Sequence, residues 1–124
     1  MFSDGRSAVK KIIVKKLEGE LDRERVMRLV REMAVDAASY PDRNILIDYR
    51  ETTATGKSMV DIMKISAEIK SFQYFFTNRV ATVISPNEKR LEVANKMKAC
   101  LVIMGFQYEV FTDYDKALTW LAQG

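Results

Sequence analysis

The chain has 124 residues, 48% hydrophobic and 30% charged, with a net charge of +3. That length fits one domain around one core and needs neither disulfide nor metal to fold, which excludes a disulfide-stapled mini-protein, and the apolar content excludes a disordered tail. With no His and a single Cys, the commonest general base, the common zinc sites and a C-x-x-C thiol motif are all missing, so no catalytic or metal site and no cofactor are expected.

The excess charge is concentrated at one end. Residues 1–16 carry five bases against one acid, whereas residues 17–124 carry 15 bases against 16 acids. Lysines on an edge strand guard against edge-to-edge aggregation, and the body of the chain is not basic, so no nucleic-acid partner is expected. No secretion signal is evident and the lone Cys100 sits in an apolar run, which reads as a cytoplasmic protein. The longest apolar run, Ala99 to Met104, is far short of the roughly 18 residues of a membrane span.

Lys10 to Leu17 (KKIIVKKL) is β-branched and bounded by Gly19, which predicts a strand. From Asp22 to Ala38, Val26, Leu29, Val30, Met33 and Ala37 recur at three- and four-residue steps, an amphipathic helix ending before Pro41. Asn44 to Tyr49 (NILIDY) predicts a short buried strand, Arg50 to Lys57 a polar loop, and Ser58 to Phe76 a helix with Ser58 and Asp61 as its capping pair. Arg79 to Ser85 is the third strand. Ser85-Pro86-Asn87-Glu88 predicts a helix capped by Ser85, running to Gly105. Phe106 to Phe111 alternates as a strand, and Thr112 with Asp115 predicts the cap of a last helix carrying Ala117, Leu118, Trp120 and Leu121. Strands alternating with helices imply right-handed crossovers and a mostly parallel sheet.

Several constellations bear on chemistry. Thr55-Gly56-Lys57-Ser58 looks like the end of a phosphate-binding P-loop, but Glu51 stands where the motif needs its first Gly, so a simple helix start is the better reading. Asp48, Asp113 and Asp115 suggest a receiver-like magnesium site, yet the adjacent acidic pair and the late Lys of a receiver are absent, and capping carboxylates are the default. Thr52, Thr53, Thr55 and Ser58 crowd a loop feeding a helix N-terminus, a candidate switch site for phosphate. The Ser58–Phe76 helix carries more apolar surface than one buried stripe needs. Ile62, Ile65, Ile69, Phe72 and Phe76 form one face, with Met59, Val60 and Met63 beside it; Lys98 to Met104 adds a second apolar stretch, and Cys100 is expected buried. Core packing, a dimer or protein-partner face, and a pocket for an apolar small molecule all remain open.

Ile12 to Asp22 (IIVKKLEGELD), Ile45 to Asp48 (ILID) and Phe106 to Leu121 (FQYEVFTDYDKALTWL), in this order and spacing, resemble the STAS-like family in its SpoIIAA-like branch of anti-sigma-factor-antagonist relatives. The resemblance spans about Ile12 to Leu121. It implies a single mixed, mostly parallel sheet of four or five strands with about four helices, largely on one face, and an extra strand before Lys10. Antagonists of this family present a phosphorylated Ser after the central strand in an Asp-Ser-Ser-Gly setting. This chain has Glu51 to Ser58 (ETTATGKS) there, so the motif is absent and Thr55 and Ser58 are positional candidates. The family fold is also similar to lipid-carrying domains of the Sec14 kind, an analogy and not a site.

The expectation is therefore one α/β domain that acts as a non-catalytic regulatory or protein-binding module, its partner another protein or a second copy of itself. The rival is a small carrier or sensor of an apolar, lipid-like ligand held by Met59, Met63, Phe72, Phe75 and Phe76.

Overall fold

A computed structural model describes residues 12–54, 59–71 and 77–123, with side chains omitted at 54 and 59–63. Strands and helices alternate: β1 (Ile12–Leu21), α1 (Arg23–Ser39), β2 (Asn44–Ala54), α2 (Met59–Lys70), β3 (Arg79–Val83), α3 (Glu88–Ile103), β4 (Gln107–Phe111) and α4 (Tyr114–Gln123). The strands form one sheet in the order β1-β2-β3-β4, and every neighbouring pair is parallel. The α/β fold read from the sequence is the one that forms, with four strands among the described residues. No described helix is long and apolar enough to cross a membrane.

The alternation of β2 sorts the core into two layers. Ile45 and Ile47 point to one face, where they pack with Leu29, Met33, Ala34 and Ala37 of α1 and with Val80 of β3. Leu46 points to the other face, where it meets Ala81 and Val83 of β3 and Ala117 and Leu121 of α4. Helices α1, α2 and α3 share the first face, and of the described helices α4 covers the second. This follows from topology: crossovers of one hand stepping steadily across a sheet lay their helices on the same side. Among the described strands the order never reverses, so they form no crevice of the kind at which doubly wound folds bind their ligands.

Local chemistry fixes the helix starts. The Asp22 carboxylate accepts from Arg25 N at 2.8 Å and caps α1. Two expected caps are corrected. α3 is capped by Asn87, whose Oδ1 accepts from Arg90 N at 3.1 Å, because the Ser85 hydroxyl instead donates to Arg50 O at 3.0 Å. α4 starts on Asp113, whose Oδ1 accepts from Lys116 N at 3.1 Å, one residue past the expected Thr112. After α3, Gly105 turns the chain at φ 96°, a conformation that favours glycine.

The expected loop Arg50 to Lys57 is also corrected in its first half, since β2 runs on to Ala54. Lys16 pairs with Asp48 and Glu18 with Glu51, so Tyr49 and Arg50 together stand opposite Leu17 as a bulge. One extra residue reverses the alternation. Thr52 therefore turns toward the α3 side, where Arg90 meets it.

Candidate functional site

Between the sheet and α1, α2 and α3 lies a cavity of about 90 Å³. Its walls are mainly apolar: Val26, Leu29, Val30 and Met33 from α1, Ile65 and Ile69 from α2, Met97 and Leu101 from α3, and Ile47 and Val80 from the sheet floor. Such a space is smaller than the roughly 300–1,000 Å³ of a typical ligand pocket. It approaches the roughly 150 Å³ apolar void known to admit benzene.

Polar groups enter the cavity from the floor. Val80 and Thr82 of β3 face the cavity side of the sheet, and Asn78, just before the strand, lines the same space. At one end the Thr82 hydroxyl and the Tyr108 hydroxyl bond each other at 3.1 Å. At the other end, Asn78 is only 4% exposed. Its Nδ2 donates to Tyr40 O at 3.2 Å and to Arg43 O, tying β3 to the turn between α1 and β2. Its Oδ1 is buried and has no hydrogen-bond partner among the described residues. Tyr49 and Tyr108 also line the space, and burial pushes both phenols up, Tyr108 to about 12 despite the hydrogen bond from Thr82 that pulls the other way.

A second cluster sits at the C-terminal ends of the strands. The Arg50 guanidinium is held by the buried Asp48 carboxylate and lies 4.9 Å from the centre of the Tyr114 ring. The hydrogen bonds from Arg50, above all, hold Asp48 below its usual value. Asp48 is thus committed to Arg50 and Asp113 to its cap, and no three acidic or Cys side chains converge among the described residues. This cluster joins α4 to the sheet.

The candidate switch residues separate. Thr52 is buried; its hydroxyl donates to Tyr49 O at 2.6 Å and accepts from Arg90 Nη2 at 2.8 Å. Thr53 is exposed on the strand. Thr55 and Ser58 lie outside the described residues, as do Phe72, Phe75, Phe76 and the side chains of Met59, Val60 and Met63. The expected strand before Lys10 lies outside them too. Of the apolar face read on the Ser58–Phe76 helix, Ile65 and Ile69 do reach the cavity. Cys100, expected buried, is only half-buried, and the apolar run around it turns outward at Val102 and Ile103.

Tyr49, Asn78, Thr82 and Tyr108 were not singled out in the sequence. The available signal was a polar Thr82 within a strand otherwise fit for burial, and a polar Asn78 immediately before that strand. No family model matches this chain, and neither a curated protein nor a solved structure does.

Proposed function

We propose that the protein is a small non-catalytic binding module that carries or senses a small apolar molecule in the cavity between the sheet and its three-helix layer. The observation that carries this reading is the cavity itself: a mainly apolar space in the main core, with a few polar side chains in its lining. Its size selects the ligand, since only a compact ring or a short branched chain fits. A ligand at ten times its Kd stabilises the folded state by about 1.4 kcal/mol, enough to raise Tm by several degrees. The test is a thermal-shift series with benzene, toluene and indole at millimolar concentration. A concentration-dependent rise with at least one is expected, and no rise with any of them overturns the reading.

A regulatory role through a protein partner, of the kind the STAS-like resemblance implies, is the second reading. It is favoured by exposed Thr53, which lies on the final stretch of β2 just before the α2 crossover, beside a threonine that Arg90 anchors. The two readings join if ligand occupancy beside Ile65 and Ile69 sets the position of α2. Phosphate-affinity electrophoresis of protein purified from its own cells tests it: a retarded species lost on Thr53→Val supports the role, and a single unmodified species counts against it.

A further inference from the structure

We propose that the ligand of this cavity bears a hydrogen-bond donor, a hydroxyl or N–H on a compact apolar body, and that Asn78 Oδ1 accepts it. This rests on the cavity reading above and names the chemistry of its ligand.

The orientation of the Asn78 amide is set by its surroundings. Both Nδ2 hydrogens go to backbone carbonyls, Tyr40 O and Arg43 O. Exchanging the amide nitrogen and oxygen would set an oxygen against two oxygens, so Oδ1 is the atom left on the other side. That atom is buried without a partner among the described residues, and the residue lines the cavity. An amide oxygen left unpaired in an apolar space is costly, and few such groups are found in folded proteins.

The hydroxyls of Tyr49, Thr82 and Tyr108 belong to lining residues too, and a hydroxyl can donate its own hydrogen as well as accept one. Thr82 and Tyr108 bond each other, and the Gln107 amide nitrogen donates to Thr77 O at 3.3 Å. Among the described lining residues, Asn78 Oδ1 is the buried polar side-chain atom that has no partner. An ordered water would need two to four polar neighbours to hold it, whereas much of the lining is hydrocarbon. A phenol-like or alcohol-like molecule supplies the one donor needed and places its remaining atoms against Val80, Met33 and Leu101. Neighbouring Asn44 shows what a satisfied amide looks like here, with Nδ2 donating to Leu121 O and Oδ1 accepting from Arg79 N.

Phenol and toluene make the test, since they differ by a hydroxyl in place of a methyl. Their Kd values are measured on the full chain by titration in ¹H–¹⁵N spectra, which also report the Asn78 side-chain amide. The inference expects phenol to bind about tenfold more tightly than toluene and to shift the Asn78 amide signals. Toluene binding as tightly as phenol overturns the inference and leaves the apolar-cavity reading standing. Phenol binding that leaves the Asn78 amide unmoved also overturns it, placing the ligand elsewhere. Binding of neither overturns the inference, and the cavity reading falls with it when benzene and indole fail to bind as well.

Discussion

Asp48 and Arg50, two residues apart on β2, are joined by two parallel bonds, Nε to Oδ1 and Nη2 to Oδ2, each 2.9 Å, and the same carboxylate accepts from Arg50 N at 3.0 Å. In a regular strand, residues two apart point the same way with their backbones fully extended. Here the bulge at Tyr49 and Arg50 brings backbone and guanidinium of Arg50 round to one acid. The side chains at this corner then fasten the sheet to α4 through Tyr114.

That pairing predicts a pH dependence. Asp48 titrates below its ordinary value of 3.8 in the folded chain. Its stabilising effect is therefore complete above pH 3.8 and is lost as pH falls through the lower folded value. Asp48→Asn should lower stability by about 1–3 kcal/mol at neutral pH. Urea melts of both proteins from neutral to strongly acid pH should show the gap closing on the acid side.

Tyr49 and Tyr108 predict the opposite limb. Both phenols are raised by burial above the ordinary value of 10.0, so the stability they confer is present below that pH and fades as pH rises toward their folded values. Absorbance near 295 nm in an alkaline titration should show fewer than the chain's five tyrosines ionising around pH 10 while the protein stays folded, and all five once it is unfolded in guanidinium.

Filling the cavity should stabilise. Val80→Ile adds one methylene to a wall of the cavity and is expected to raise stability by about 0.5–1 kcal/mol. In a fully packed core the same change costs energy, so the sign of the shift in a denaturant melt reads the cavity directly. The variant should also bind small apolar probes more weakly.

Asn44 is buried between layers, giving one hydrogen bond to the end of α4 and taking one from the start of β3, at 2.7 and 2.8 Å. Asn44→Leu leaves a backbone carbonyl and an N–H without partners and should cost about 2–4 kcal/mol. Trp120, which lies near Phe111 and beneath Arg79 on α4, offers a fluorescence signal for the loosening of that helix.

Gly105→Ala isolates a backbone effect. A Cβ there meets nothing within 4 Å, so the cost comes from φ 96° alone and should be about 1–2 kcal/mol. Gly105→Asn should cost less, because asparagine tolerates this conformation better.

Periodicity made much of this fold legible. Val26, Leu29, Val30, Met33 and Ala37 marked the buried stripe of α1, and ILID marked the central strand. What failed were features decided by tertiary partners. The bulge at Tyr49 and Arg50 breaks the two-residue alternation on which strand reading depends, so the Thr-rich extension of β2 looked like a loop. Ser85 has the chemistry of a cap, but its hydroxyl found Arg50 O, leaving Asn87 to cap α3. The cavity is assembled by residues from α1, α2, α3 and three strands, spanning Val26 to Tyr108. No local pattern marks a space that exists only where distant side chains fall short of one another.

The sheet order β1-β2-β3-β4 repeats the order of synthesis. Each strand after the first docks on the one made just before it, so the growing chain closes each contact over one helix-length crossover and never waits for a segment still in the ribosome to fill an inner position. Assembly can advance from one edge to the other, and the last helix then seals the face the earlier three left bare.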